Sequence, residues 1–377
     1  MHAPLKPMAR VEWRGLSTLQ TIVEEWRALA GRALEPNVFY EPAFLSAAAP
    51  VFGAGAGAVL VWSGGRLLGL FPMRMARQWP FAMATGWTHP FAPLGTPLVD
   101  REQPEEVIAA WLGHFAGDPT APSLMLLPML PERDAFAAAL DAVLARGGYK
   151  QAAFDRHQRA LLEPGAERGG YLERATSTHK RKELRRQRRR LEQIAPVSFS
   201  AVASMRDIEA ALRDFLVIEA SGWKGLAGTA AVSDPAVHEF FETAVTNLAA
   251  EGRARIDRLF LNGRAIAAAI TLQSGDTAWL WKIAYSEGVA RYSPGVQLVH
   301  DLTESLLAQP LPERIDSCAI ADHPMIDHVW RERLTLSDRL IALKPSALPF
   351  AFARGAESLH RSAIATAKAV RDRIRKR

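Results

Sequence analysis

The chain has 377 residues, of which 49% are hydrophobic and 23% are charged, and this composition excludes a largely disordered protein. Its length favours two domains over one. The single cysteine, Cys318, excludes an internal disulfide bond and a metal site built from several cysteines.

The positive charge is concentrated in two segments. Of the formal net charge of +6, Lys180–Arg190 contributes +7 and Ala367–Arg377 contributes +5, which leaves −6 for the remainder. The body of the protein is therefore mildly acidic. Met1–Arg14 has four charged residues and no apolar core, unlike a signal peptide. The longest apolar run, Ala47–Trp62, is broken by a proline and three glycines, so we expect a cytoplasmic protein without a transmembrane segment.

The N-terminal half predicts helices around a β-hairpin whose strands, Ala58–Trp62 and Arg66–Met73, are joined by Gly64-Gly65. A basic helix, Thr178–Ile194, connects the halves. The remaining predicted elements are helices and one strand: Leu19–Leu34, Glu41–Ala48, Pro104–Ala116 and Asp134–Arg146 as helices, and Ser123–Leu127 as the strand.

The C-terminal half predicts the order β, α, α, β, β, β, α, β, α, β. Asn262-Gly263 is a strong hairpin signal between the second and third strands. The strands are Val197–Val202, Ile256–Leu261, Arg264–Leu272, Thr277–Tyr285, Arg314–Ile320 and Arg339–Leu343. The helices are Ser204–Ser221, one from Ser233 to Gly252, one from Pro294 to Ala308, and Met325–Leu334.

Two short matches at nearly one offset suggest an internal duplication. Gly65-Arg-Leu-Leu lies 198 residues before Gly263-Arg-Ala-Ile, and Gly95-Thr-Pro-Leu-Val lies 200 before Gly295-Val-Gln-Leu-Val. Each match alone is short enough to arise by chance.

The order of elements resembles the GNAT acyltransferase fold. Four segments resemble the CelD/BcsL-type GNAT proteins linked with cellulose and exopolysaccharide gene sets: Gly222-Trp-Lys-Gly, Trp281-Lys-Ile-Ala-Tyr, Ser293-Pro-Gly-Val-Gln-Leu and Asp322-His-Pro-Met. The resemblance is strongest from Tyr171 to Leu334, and a more distant one is to the FemABX peptidoglycan transferases. It implies an α/β (α+β) fold of two tandem GNAT-like domains, with mixed, largely antiparallel central sheets flanked by helices.

We therefore expect four parts. Residues 1–165 form a degenerate N-terminal GNAT-like domain, and 166–195 form a basic linker helix. The acyltransferase domain spans 196–345, and 346–377 form a helical, basic tail.

The loop Arg291–Gln297 is the predicted cofactor site. It leaves a strand and opens a helix, so unpaired main-chain N–H groups are available for a pyrophosphate. The resemblance implies acetyl-CoA or another acyl-CoA as co-substrate and no metal. The predicted contacts are Arg291, Ser293, Gly295, Val296 and Gln297. Three residues separate Arg291 from Gly295, and Gln297 replaces the usual small residue, so the loop departs from the GNAT signature; an ordinary Pro-Gly turn is the alternative.

Glu219 is the first candidate catalytic base. It shares one helical face with Ile208, Leu212 and Phe215, where burial would raise the pKa of a carboxylate and suit it to accept a proton from an ammonium group. The alternative is a solvent-exposed Glu219, or an ion pair with Lys224.

The strand Thr277–Tyr285 supplies further candidates. Strict alternation places Trp279, Trp281, Ile283 and Tyr285 on one face and Lys282 on the other. Lys282 needs a partner or a ligand, either an acidic substrate or Glu219. The resemblance implies that Tyr285 is the acid near the thiolate leaving group. We assign Trp223, Lys224, Trp281 and Lys282 to the acceptor, with a plain aromatic core as the alternative for the tryptophans.

Asp322-His323 follows a strand at its carboxyl end, where sites in open sheets gather. His323 is the alternative base, with Asp322 orienting it; otherwise Asp322 caps the helix predicted from Met325. His328 is expected on the surface, and Cys318 is expected to be a small buried residue.

The predicted reaction is acyl transfer from acyl-CoA to an amine or hydroxyl of a small or sugar-like acceptor. The basic helix is expected to dock through Leu184, Gln187, Leu191 and Ile194 and to expose its charge. That charge suits an anionic partner at Lys180–Arg190: tRNA, a carrier protein or a membrane surface. A FemABX-like transferase using aminoacyl-tRNA and a non-catalytic scaffold of a polysaccharide synthase are the alternatives.

Overall fold

The computed structural model describes residues 9–78, 81–165, 167–222, 225, 228, 230–310, 312–344 and 350–358. These residues divide into two compact units. Unit 1 contains 1–37, 53–157 and 335–377, and unit 2 contains 38–52 and 158–334. In the described part of the chain, no helix is long and apolar enough to cross a membrane.

The strands are β1 (Arg10–Gly15), β2 (Ala56–Ser63), β3 (Arg66–Gln78), β4 (Phe81–Gly86), β5 (Leu98–Val99), β6 (Leu124–Pro131), β7 (Gln151–Leu162), β8 (Val197–Val202), β9 (Ala254–Leu261), β10 (Arg264–Ser274), β11 (Thr277–Tyr285), β12 (Arg314–Asp316) and β13 (Glu332–Ala342). The helices are α1 (Val23–Ala30), α2 (Pro42–Phe52), α3 (Pro104–Gly117), α4 (Ala135–Arg146), α5 (Tyr171–Ala175), α6 (Thr178–Glu192), α7 (Met205–Ser221), α8 (Pro235–Ala250) and α9 (Pro294–Leu307). Residues 350–358 are also helical, and the rest of the predicted tail lies outside the described residues.

The two units have the same strand plan. In unit 1, β1, β2, β3 and β4 pair antiparallel in that order, β4 pairs parallel with β6, and β13 pairs antiparallel with β6. In unit 2, β8, β9, β10 and β11 pair antiparallel, β11 pairs parallel with β12, and β7 pairs antiparallel with β12. Each sheet is therefore mixed and mainly antiparallel, and each has a helix, α3 or α9, in the crossover between its parallel strands, as the predicted tandem fold requires.

The hairpin signals occupy equivalent positions in the two units. Gly64-Gly65 joins β2 to β3 and Asn262-Gly263 joins β9 to β10, and all four residues have positive φ, as a two-residue turn of this kind needs. The second sequence match is not equivalent, because Gly95 precedes the short strand β5 whereas Gly295 lies in the first turn of α9. The duplication is thus supported by the hairpins and by the strand order.

The division of the chain differs from the predicted boundaries in three places. Residues 38–52 belong to unit 2 although unit 1 surrounds them in sequence, because α2 packs on α8. The basic helix α6 belongs to unit 2 and is not a separate linker. Residues 335–342 belong to unit 1, since this part of β13 pairs with β6.

Two predicted elements in the C-terminal half are wrong. The helix predicted over 325–334 is a short 3₁₀ turn, Ile326–His328, followed by β13 from Glu332. The strand predicted to reach Ile320 ends at Asp316. It ends there because the Asp316 carboxylate accepts a hydrogen bond from the Cys318 N–H, at 3.0 Å, and Cys318 takes a left-handed conformation with φ of 51°.

The helices of unit 2 lie on both faces of its sheet. On one face, α9 buries Leu298, Val299 and Leu302 against residues of β10 and β11. On the other face, α7 packs on β10 and β11 and also against α8. The predicted apolar face of α7 is confirmed, including Glu219, which is 6% exposed. In α6, Leu184 and Leu191 are buried as expected, but Ile194 is 55% exposed, because α6 ends at Glu192 before reaching it.

Candidate active site

A split between two parallel strands lies at one end of the sheet of unit 2. β11 and β12 pair only through Thr277–Trp279 and Arg314–Asp316. β11 then continues for six residues to Tyr285, whereas the chain after Asp316 leaves the strand conformation. From Leu280 onward the edge of β11 that faced β12 has no strand partner among the described residues. Open sheets bind ligands at the carboxyl ends of such strands, where main-chain groups are available.

A β-bulge at Trp281 bends β11 at the start of this split. Ile270 of β10 lies opposite Lys282 and Thr271 lies opposite Leu280, which leaves Trp281 as the extra residue. A bulge increases the local twist and redirects the side chains that follow it. Leu280 and Ile283 consequently face the same core, which includes residues of α9. The predicted stripe that placed Trp281 and Ile283 on one face is therefore wrong, since strict alternation fails at the bulge.

Trp279 and Trp281 are core residues on the opposite face. The Trp281 ring centroid lies 5.6 Å from that of Phe44 and 4.7 Å from that of Phe241, and Trp279 lies 5.8 Å from Phe39. Trp281 is 3% exposed, so its indole is part of the aromatic core, the alternative given above, and does not contact an acceptor. Lys282, which is half-buried, has its Nζ 5.9 Å from the centroid of the Trp281 ring.

The first turn of α9 is tightly packed beside the end of β11. A Cβ atom added to Gly295 would lie 2.8 Å from Met325 Sδ and 3.1 Å from Tyr285 Cδ1, so only glycine fits without a shift of its neighbours. Ser293, which precedes the helix, has φ of 52° and ψ of 50°. The N–H groups of Gly295 and Val296 belong to the unpaired set at a helix N-terminus, where an anion is favoured.

Gln297 and Arg291 make contacts other than the predicted ones. The Gln297 amide is buried, its Nε2 donates to the Tyr292 carbonyl at 2.7 Å, and its Oε1 accepts from Arg188 at 3.2 Å. These two hydrogen bonds of Gln297 stabilise the loop that precedes α9. Arg291 is exposed and its guanidinium lies 4.8 Å from the centroid of the Tyr292 ring. Of the predicted cofactor contacts, the main chain at Gly295 and Val296 is the part that fits an anion.

Glu219 lies at the end of α7, close to the loop that follows β11. Its Oε2 accepts a hydrogen bond from the Ala231 N–H at 3.0 Å, so the carboxylate holds the 3₁₀ turn Ala231–Ser233. A Cβ on Gly222, one turn further, would lie 3.6 Å from Glu287 Oε1. The end of α7 and the loop after Tyr285 are thereby neighbours. Trp223 and Lys224, assigned above to the acceptor, lie outside the described residues.

His323 is oriented by main-chain groups and not by Asp322. Its Nδ1 accepts from the Met325 N–H at 3.3 Å and from the Ile326 N–H at 3.5 Å, so the neutral ring carries its proton on Nε2. Burial lowers the pKa of His323, with a smaller opposing effect of the nearby Asp327 carboxylate. Asp322 is exposed, with φ of 55°, and it caps no helix because the predicted helix is absent. In this orientation the neutral His323 ring can donate a hydrogen bond through Nε2.

A buried ion pair lies where β11 and β12 separate. Arg159 and Asp316 pair with side chains that are 1% and 3% exposed. Cys318 follows at the split, and burial, reinforced by the Asp316 carboxylate, raises the pKa of its thiol, which keeps it protonated. Arg159, Arg188 and Met325 also support the site, and no sequence pattern predicted this role for them. One sequence feature could have indicated the buried ion pair: Asp316 is an acidic residue inside a predicted apolar strand.

The chain was compared with known families, curated proteins and solved structures. Residues 178–323 match the family model described as Acetyltransferase (GNAT) domain. This stretch contains the β9–β11 meander, the split, the start of α9 and both candidate bases. The comparison with curated proteins gives no match.

Three solved structures share the fold over most of the chain, each with a TM-score of 0.55. A conserved protein of unknown function from Bacteroides thetaiotaomicron is 11% identical, covering 89% of this chain and 100% of its own. The C-terminal domain of a putative lysylphosphatidylglycerol synthetase from Agrobacterium fabrum is 12% identical, covering 91% and 96%. The crystal structure of FemX is 10% identical, covering 85% and 95%. At these identities the likeness concerns the fold, and it extends over both units.

Proposed function

We propose that the protein transfers an acyl group from acyl-CoA to an amine or hydroxyl of a small or sugar-like acceptor at the split of unit 2. One observation carries this proposal: β11 and β12 separate after three paired residues, beside the glycine-bearing first turn of α9. The split offers an edge of main-chain donors, and the helix start offers an anion site. Together they suit a thioester at the end of a pyrophosphate-bearing carrier.

Acyl-CoA, when bound, supplies an acyl carbon already activated as a thioester. We propose that the main-chain N–H groups on the free edge of β11 polarise the carbonyl oxygen of such a group. The N–H groups of Gly295 and Val296 would hold the pyrophosphate. Catalysis then rests on holding the two reactants together and on moving protons.

Glu219 and Tyr285 are the proposed proton-transfer pair. Bond formation from the acceptor nitrogen or oxygen to the acyl carbon releases one proton, which passes to Glu219. Cleavage of the carbon–sulfur bond leaves a thiolate, which takes a proton from the Tyr285 hydroxyl. Tyr285 is 38% exposed and lies against Gly295, so it is next to the proposed carrier site. His323 donates through Nε2, and Lys282 remains the proposed contact for an acidic acceptor.

Titration calorimetry with acetyl-CoA and longer acyl-CoAs tests the donor. Saturable binding by the natural chain, lost in Gly295→Val, is the expected result, because the added side chain enters the space held by Tyr285 and Met325. Gly113→Val is the matched control, since a Cβ at Gly113 of α3 meets nothing within 4 Å. Absence of binding to every acyl-CoA would sink the proposal, as would equal loss in both variants.

A second candidate, aminoacyl transfer from tRNA, is favoured by the exposed charge of α6. Arg185, Arg186 and Arg189 are exposed, whereas Arg188 is engaged by Asp301 at 3.0 Å and by Gln297. Salt-sensitive tRNA binding that disappears in an Arg185→Gln, Arg186→Gln, Arg189→Gln variant supports this candidate. Retention of tRNA binding in that variant argues against it.

A role in polysaccharide synthesis, as implied by the CelD/BcsL-type resemblance, is proposed on the sequence segments alone. A scaffold in a synthase complex would tolerate Glu219→Gln, Lys282→Ala and His323→Ala without loss of polysaccharide. An acyltransferase would lose acylation of its product in Glu219→Gln while its fold is retained.

A further inference from the structure

A second cavity in unit 2 has a basic lining drawn from two separate parts of the chain. Its volume is about 550 Å³. One side comes from the start of α6 and the turn before it, and the other comes from the 3₁₀ turn at Ile326 and the start of β13. The lining residues are Ala175, Ser177, His179, Lys180, Asp327, His328, Arg331 and Arg333.

Main-chain carbonyls hold the two arginines of this cavity. Arg331 Nε donates to the carbonyl of Ala175 at 2.8 Å, and the Arg331 N–H donates to the Tyr171 hydroxyl at 3.1 Å. Arg333 donates to the carbonyls of Trp330 at 2.7 Å, Glu332 at 2.9 Å and Asp327 at 3.3 Å. Within the described residues neither guanidinium forms an ion pair. Carbonyl partners fix the position of a guanidinium without neutralising its charge, so both remain oriented cations.

The remaining lining adds to the positive potential. The cavity includes the first turn of α6, whose N-cap Ser177 Oγ accepts the Lys180 N–H at 3.2 Å, so this helix end adds its partial positive charge. Lys180 Nζ lies 3.2 Å from Glu183 Oε2, so this lysine is paired and adds little net charge to the cavity. Besides the paired Lys180, two guanidinia and two imidazoles of the lining thus share the cavity with one carboxylate, that of Asp327.

We propose that this cavity binds the phosphate group of a small anionic ligand, at a site separate from the split between β11 and β12. Arginine pairs recognise phosphate through several parallel hydrogen bonds, and two pre-positioned guanidinia lose little freedom on binding. The volume lies within the range of small-molecule sites. The described lining has no indole, phenyl or phenol ring, which favours recognition of the phosphate over stacking on a base.

Calorimetry with inorganic pyrophosphate and with inorganic phosphate, at constant ionic strength, tests the proposal on the full chain. Arg331→Gln with Arg333→Gln is expected to weaken binding by about tenfold or more, because two charge-assisted contacts are lost. Arg331 and Arg333 are exposed, so the matched control is Arg186→Gln with Arg190→Gln, which removes the same charge from exposed positions on α6 that do not line the cavity and should change affinity by less than about twofold. Asp327→Asn removes the one repulsive carboxylate and should tighten binding.

Two calorimetric results would overturn the proposal. If both double variants weaken pyrophosphate binding equally, only the overall charge of the protein attracts the anion. If the natural chain gives no saturable heat at millimolar pyrophosphate, the cavity is not a binding site. If CoA and dephospho-CoA displace pyrophosphate equally well, pyrophosphate is bound at the acyl-carrier site. That result would also overturn the proposal of a separate phosphate site. If the Arg331 variant has a lowered melting temperature, Arg333→Gln and Asp327→Asn are tested separately. The first is expected to weaken pyrophosphate binding and the second to tighten it. Binding here is independent of whether acyl-CoA binds at the split.

Discussion

The buried ion pair at the base of the split gives the sharpest prediction about stability. Asp316→Asn keeps the size of the side chain but removes the carboxylate charge that pairs with the Arg159 guanidinium, whose side chain is 1% exposed. Removing one member of a buried pair costs about 3–5 kcal/mol. We expect a loss near the lower end, about 3 kcal/mol, because an asparagine oxygen can still accept the Cys318 N–H that Asp316 now accepts.

Urea unfolding followed by tryptophan fluorescence measures this loss, since Trp279, Trp281 and Trp330 are buried in the same unit. Glu132→Gln is the control, because its partner Arg156 has a side chain that is 66% exposed and such a pair contributes at most about 1 kcal/mol. Arg159→Met with Asp316→Leu should recover much of the lost stability by removing both charges together. If Asp316→Asn loses no more stability than Glu132→Gln, the reasoning from burial is wrong.

Three further predictions concern the site. Gln297→Ala should raise the KM for acyl-CoA more than it lowers kcat, because the brace to Tyr292 and Arg188 is lost; an unchanged KM in steady-state assays would contradict this. Glu219→Gln should slow acyl transfer by about 10²–10⁴-fold while thermal stability changes little, since the amide oxygen still accepts the Ala231 N–H; full activity in this variant would exclude Glu219 as the base. His323→Asn should remove part of the acid sensitivity of the fold. Burial lowers the pKa of His323, so its stabilising effect is present above the ordinary pKa of histidine, about 6.5, and is lost as the pH falls; melting curves from pH 8 to about pH 5 should therefore diverge, with the natural chain losing more.

Local patterns predicted the elements that local chemistry controls. The hairpin at Asn262-Gly263 needs two residues of positive φ, and the sequence supplies residues that tolerate it. The α7 face that buries Phe215 and Glu219 follows from helical spacing alone. The order from β8 to β12, with three antiparallel strands followed by a helical crossover to a parallel strand, was also predicted from the sequence of the C-terminal half.

The features that local patterns did not predict depend on contacts between distant parts of the chain. Residues 336–342 become a strand because β6 pairs with them, and β6 lies about two hundred positions earlier in the chain. Strict alternation along β11 failed at Trp281, since a bulge is defined by the register against a neighbouring strand. The contacts of Gln297, in the predicted anion loop, depend on Arg188, which lies 109 positions earlier in the chain.

The exchange of segments between the two units has a consequence for biosynthesis. Unit 1 lacks the strand that completes its sheet until residue 342 has been made, and unit 2 needs Val38–Phe52 from early in the chain as well as residues up to 334. Unit 1 therefore cannot finish folding before all of unit 2 has been translated, unlike an N-terminal domain that folds first as it leaves the ribosome. The stretch that matches the acetyltransferase family, 178–323, also omits α2 and β7. A gene fragment encoding only that stretch would yield a chain whose Trp281 lacks its contact with Phe44 and whose β12 lacks its pairing with β7.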